Sequence, residues 1–120
     1  MSRILKFRVW SEKDNIYIKI GTIIVNTGID TEFTDKGAKY IVEQYTGLKD
    51  KNGKEIYEGD IMRYDAIDYK VLWSDYYASF ETKRINSEYL NEGLALHFLA
   101  RVGRVIGNIH ENPELLGVKE

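Results

Sequence analysis

The chain has 120 residues, of which 43% are hydrophobic, 30% charged and 12% aromatic, with one proline, ten glycines and no cysteine. Those figures fit one domain spanning 1–120 and exclude collagen-like, linker-rich and disordered chains, which need far more Pro, Gly or charge and fewer aromatic residues. Lys and Arg number 17 against 19 Asp and Glu, a formal net charge of -2, so no whole-molecule field draws the chain to phosphate backbones or anionic membranes.

The first predicted strand runs from Ile4 to Trp10, where Leu5, Phe7 and Val9 alternate with Lys6 and Arg8. A polar turn at Glu12-Lys13-Asp14-Asn15 leads to Ile16, Ile18 and Ile20, and β-branched residues continue the strand signal through Val25. Asn26 to Gly37, rich in Thr, Asp and Gly, reads as a long turn anchored by Phe33, and Lys39 to Tyr45 as the next strand. Asn52-Gly53 is the strongest turn signal: it suits the two positive φ angles of a type I′ hairpin that sets Leu48 opposite Ile56.

Glu58-Gly59-Asp60 makes a second turn. Three short strands, Ile61 to Tyr64, Tyr69 to Trp73 and Ala78 to Ile85, then form a meander. Residues 86–100 support two periods. Leu90, Leu94 and Phe98 are spaced as on a helix, while Leu94, Leu96, Phe98, Ala100 and Val102 alternate as in a strand; the reading adopted is an irregular or short helical stretch over 87–92 and a strand over 96–102. Val105 to Ile109 is a further strand. Asn112-Pro113 through Gly117 reads as a helical turn with Asn112 as N-cap, Pro113 in first position and Gly117 as the stop.

The sum is a mainly β chain with an additional N-terminal β layer over 1–45 and a short C-terminal helical turn; over 46–120 the order Gly59-Asp60-Ile61, Val71-x-Trp73 and Phe80 resembles the meander of a small SH3-like, partly open barrel. No stretch reaches the roughly 20 apolar residues of a membrane helix, and Lys6 interrupts the place where a leader's apolar core would continue, so no membrane partner is expected.

Chemistry is reached mostly by elimination. Without cysteine there is no disulfide, thiolate nucleophile or cysteine-based zinc site. Around Gly53 a calcium loop would put Leu48 first and Gly59 twelfth, where acidic ligands belong, so the segment is a hairpin. His97 and His110 lie 13 positions apart with no partner at a metal-motif spacing; His97 is expected on the polar side of a strand and His110 facing solvent. Glu58 and Asp60 are the nearest thing to a carboxylate pair, but a turn acid that caps backbone amides explains Asp60 more simply. No catalytic residue, metal or cofactor is expected.

The aromatic residues are distributed unevenly. Tyr57, Tyr64, Tyr69, Trp73, Tyr76, Tyr77 and Phe80 are interleaved with Arg63, Lys70, Lys83 and Arg84. Strand aromatics fill small barrels, yet exposed rings beside cations also stack bases or grip a peptide. Arg63, Lys70, Trp73, Tyr76, Tyr77, Lys83 and Arg84 are therefore the candidate surface for a protein partner or for nucleic acid, with Tyr76 and Tyr77 best placed for exposure.

The run from Gln44 to Ile61, QYTGLKDKNGKEIYEGDI, resembles the signature of the YopX family of phage and prophage proteins. Val105 to Leu116 is similar to that family's closing segment, and Lys6 to Trp10 to its start. One departure is His110, where an aromatic residue is common. The resemblance implies a small, mainly β protein of a phage or prophage, in the cytoplasm of a bacterial host, whose family has no characterised biochemical role and no catalytic residues to carry over. It makes Gly47, Asn52, Gly53 and Gly59 turn or pivot positions, with Asn108 and Asn112 as caps. The expected function is a non-enzymatic accessory or binding module acting through protein contacts or self-assembly as a homo-oligomer, with weak nucleic-acid binding through 63–84 as the alternative.

Overall fold

A computed structural model describes residues 5–18, 32–35, 37–86 and 93–117. Its first antiparallel sheet holds β1 (Phe7–Ser11), β2 (Ile16–Ile18), β3 (Glu32–Asp35) and β4 (Ala38–Lys49) in the order β2-β1-β4-β3, and β5 (Glu55–Tyr57) pairs with the C-terminal end of β4. The second holds β6 (Asp60–Tyr64), β7 (Ile67–Ser74), β8 (Ser79–Arg84) and β9 (Arg104–Asn108) in the order β8-β7-β6-β9, with α1 (Leu96–Val102) inserted before β9. A single 3-10 turn, Pro113–Leu116, follows β9. This is the expected small barrel-like β fold with an N-terminal layer. The sheets part at the Glu58-Gly59 turn, and β4 runs unbroken through the expected division at residue 45.

The core lies where α1 meets both sheets. Leu96, Leu99 and Ala100 of α1 pack with Ile56 of β5, Met62 of β6, and Tyr69 and Val71 of β7, while Leu48, Phe80, Leu94 and Val105 close the edges. Because these residues come from both sheets, burial of one apolar cluster ties the two together.

Several local expectations are corrected. Residues 96–102 are helix, not strand: Leu96, Leu99 and Ala100 are buried at helical spacing while Phe98, which the alternating pattern placed inside, is exposed. Residues 32–35 form a strand on β4 in place of the middle of a long turn. The Asn52-Gly53 hairpin is not type I′. Only Gly53 has positive φ, +83°, and its amide donates to the Asp50 carbonyl at 2.9 Å, giving a three-residue loop with Gly in the left-handed position. The paired positive φ angles occur instead at Asp65 and Ala66, the two-residue turn between Tyr64 and Ile67. Asn112 stands at the N-cap position of the 3-10 turn, yet its Oδ1 accepts from the Asn108 amide and so serves the end of β9. Asn108 caps as expected, accepting from the amides of His110 and Glu111. The strand signal through Val25, the part of the long turn before residue 32 and the stretch over 87–92 lie outside the described residues.

Candidate functional site

The β7–β8 hairpin carries most of the candidate surface. Its tip, Asp75–Ala78, holds Tyr76 and Tyr77 at 87% and 69% exposure, their rings edge to face at 4.8 Å between centroids. Behind them Trp73 and Phe80 are cross-strand partners with centroids 5.0 Å apart, and Trp73 remains 41% exposed. Ser74 Oγ accepts from the Tyr77 amide and so shapes the tip.

Cross-strand partners share a face of the sheet. Tyr69, Val71 and Trp73 pair with Arg84, Thr82 and Phe80, which places Trp73 and Arg84 on the face that carries the core. Lys70 pairs with Lys83 and with Ile61, and Arg63 with Asp68, so Arg63, Lys70 and Lys83 occupy the opposite face. Arg63 is also held by Asp68 through contacts of 2.7 and 3.0 Å. Arg84 lines a small cavity with Asp68, Ile85 and Leu115. The hairpin end therefore carries two ring pairs, Tyr76 with Tyr77 and Trp73 with Phe80, and the cations expected beside them are divided between two faces.

Alongside the hairpin runs a groove of about 420 Å³, bounded by Tyr77, Phe80, Glu81 and Thr82 on one side and Gly93 to Leu96 on the other. The walls meet at Thr82, whose hydroxyl donates to the Leu94 carbonyl and accepts from the Leu94 amide. Gly93 fits there because it lacks a Cβ, which would stand 1.9 Å from the Thr82 carbonyl oxygen.

A second constellation lies between the sheets, and the alternating pattern, which set Lys6 and Arg8 on the side away from Leu5, Phe7 and Val9, gave no sign of it. Arg8 of β1 opposes Glu43 of β4 in the register and binds Oε1 through Nε at 2.8 Å. Its Nη2 reaches Asp60 Oδ1 at 2.9 Å and the Glu58 carbonyl at 3.2 Å. Tyr17 Oη also donates to Glu43 Oε1 at 2.8 Å, and His110 Nε2 lies 3.1 Å from Oε2 while its ring stacks on Trp10 at 4.9 Å. His110 is thus largely buried, not solvent-facing; the rings it meets come from strands distant in sequence.

Burial pushes the carboxyls of Asp60 and Glu58 above the usual range, against the Arg8 charge and the amides of Tyr57 and Gln44. It also raises the Tyr17 hydroxyl, with the neighbouring Glu43 charge acting in the same direction. Asp60 Oδ2 accepts from the Tyr57 amide at 2.8 Å, the capping role expected of it, and Glu58 Oε1 accepts from the Gln44 amide of β4 at 3.0 Å. A Cβ at Gly59 would fall 2.1 Å from Glu43 Oε2, and its φ of +88° also favours glycine, so the pivot is required on two counts. The cluster binds β1, β2 and β4 to β6 and the segment after β9. Among the described residues no set of three His, Asp or Glu side chains converges to hold a metal, and no helix is long and apolar enough to cross a membrane.

The YopX protein family model matches residues 6–117. The chain belongs to the YopX family. Protein EF1440 from Enterococcus faecalis, a solved crystal structure, is similar to it at 30% identity with a TM-score of 0.61, covering 96% of this chain and 99% of that one. No curated protein matches. The family match takes in both the clasp around Arg8 and the β7–β8 hairpin.

Proposed function

We propose that this YopX-family chain is a non-enzymatic phage or prophage accessory protein, a small β binding module of the host cytoplasm that acts through protein–protein contacts, self-assembly included. The observation that carries this reading is the exposure of Tyr76, Tyr77 and Trp73 together at one hairpin tip. Exposed aromatic rings combine large apolar area with few rotatable bonds, which is why interfaces are rich in them. Three carboxylates, Glu43, Glu58 and Asp60, are each committed to a buried cation, hydroxyl or amide within the fold, which supports a non-enzymatic role.

The register weighs against the nucleic-acid alternative. Lys70 and Lys83 lie on the other face from Trp73, so a strand stacked on the tip would leave them behind.

The test compares wild type with the Tyr76→Ser/Tyr77→Ser variant in affinity capture from host lysate and in light scattering after size exclusion. Both substitutions are at exposed turn positions and leave the melting temperature nearly unchanged. Loss of captured protein, or of self-association, in the variant is expected. Unchanged capture and unchanged mass would remove the tip as the interaction surface.

A further inference from the structure

The clasp around Glu43 is unbalanced in charge. Three carboxylates enter it, Glu43 from β4, Glu58 from the turn between the sheets and Asp60 from β6, and Glu43 and Asp60 keep only 5% and 3% of their side-chain surface exposed. Against them stands one fixed cation, Arg8 of β1, bound to Glu43 and Asp60 and set against the Tyr17 and Tyr57 rings at 4.5 and 4.7 Å. The other described groups that face the cluster do not correct this. Tyr17 of β2 brings a neutral hydroxyl, Asp75 at the β7–β8 tip adds a negative charge that acts on Glu58, and Glu111, next to His110, is tied to Asn108 Nδ2 at 2.8 Å. That leaves His110. Its Nε2 lies 3.1 Å from Oε2, the Glu43 oxygen that neither Arg8 nor Tyr17 takes, and its ring lies 12° from parallel with the buried Trp10 indole.

We infer that the clasp is a proton-operated joint: His110 takes up a proton as pH falls through the neutral range, becomes the second cation of the cluster, and draws the segment after β9 more firmly onto β1 and β4. An imidazole changes charge between about pH 5 and 8, where no other unperturbed side chain does. Burial opposes a charged ring here, but two contacts favour it. The bond to Glu43 becomes charge-assisted, and a cationic ring on the Trp10 face gains the attraction of the indole's π-electrons. The same imbalance acts on the neighbouring carboxyls. Burial first, and then the Glu43 charge, hold Glu58 and Asp60 above the usual range in spite of Arg8, so positive charge is short throughout the cluster. Linkage sets the sign of the effect: a proton bound more tightly by the folded chain than by the unfolded one makes stability fall as pH rises. This inference is independent of the protein-binding reading.

The test uses a Trp73→Phe background, in which all tryptophan emission comes from Trp10. It compares the chain carrying His110 with His110→Gln, whose amide can still donate to Glu43 but carries no charge. A protonated imidazole stacked on an indole quenches its emission. Trp10 intensity is therefore expected to fall between about pH 8 and pH 6, with unchanged circular dichroism, and to stay flat in His110→Gln. Over the same interval urea melts are expected to give an unfolding constant about fivefold or more lower at the acidic end, relative to the same ratio in His110→Gln, the scale of about one unit of differential proton affinity. If His110→Gln does not fold, His110→Phe takes its place, keeping a ring on Trp10 without a titrating group. Emission that is independent of pH with His110 present, or the same stability ratio in both proteins, would overturn the inference. So would a stability that rises with pH only when His110 is present. A fall in emission with equal stability ratios also overturns it, since the proton would then be bound without acting on the joint.

Discussion

Asp50 shows how one side chain can hold a fold together through backbone amides. Its Oδ1 accepts from the amides of Asn52 and Lys54, both at 2.9 Å, and its Oδ2 accepts from Val105 at 2.8 Å, so one carboxylate closes the loop and anchors the start of β9. Burial acts to raise its carboxyl, but the amides of Val105, Lys54 and Asn52 outweigh it and hold the group below the usual aspartate value. A depressed folded-state value means that the stabilisation is complete above the unfolded aspartate value, about 3.9, and is lost as pH falls through the lower folded value. Asp50→Asn is therefore expected to cost about 2 kcal/mol at pH 7. The gap from wild type should narrow below about pH 4, as the wild-type carboxyl takes up its proton. Urea melts of both proteins at matched pH values check this. A gap that stayed constant with pH would mean that the carboxylate's charge plays no part.

At the scale of elements, turns were legible as places and not as conformations. Asn52-Gly53 marked a hairpin correctly, but Asp50's grip on the loop amides selects the three-residue form. The two-residue turn with paired positive φ fell where no glycine advertises it, at Asp65 (φ +53°) and Ala66 (φ +61°). The 96–102 segment was misread for a related reason: Leu96, Phe98 and Ala100 satisfy a period of two, and only packing against β5, β6 and β7 shows that Leu96, Leu99 and Ala100 are the set that matters. Of the candidate site, the exposed tip was readable from turn residues. The separation of its cations was not, because that depends on strand register. Ala66 is exposed and its Cβ opposes the left-handed region, so Ala66→Gly should relieve about 1 kcal/mol of backbone strain, less the extra chain entropy of glycine. The expected result is a rise of about 2–3 °C in melting temperature by differential scanning calorimetry. A fall would show that the turn tolerates Ala66 without strain.

The whole molecule is held by two unlike joints between its sheets: the polar clasp of Arg8, Tyr17, Glu43, Asp60 and His110, and the apolar cluster around Leu99. The clasp gives orientation more than stability, since desolvation of its charges offsets much of their attraction, and removal of Arg8 would leave the Glu43 and Asp60 carboxylates buried without their shared cation. The apolar joint supplies the cohesion. Leu99 is fully buried against residues from both sheets, so Leu99→Ala is expected to cost about 3 kcal/mol, and to cost it to both sheets at once if they unfold as one unit. The chain's two tryptophans make that condition measurable, because Trp10 lies buried in the first sheet and Trp73 on the second. In a Trp73→Phe background, Trp10 fluorescence follows the first sheet and far-ultraviolet circular dichroism follows all the strands. The urea midpoints from the two signals should coincide, and Leu99→Ala should lower them together with little change in slope. A Trp10 transition left in place while the dichroism shifts would instead make each sheet a separate folding unit, with the clasp a contact formed only after each has folded.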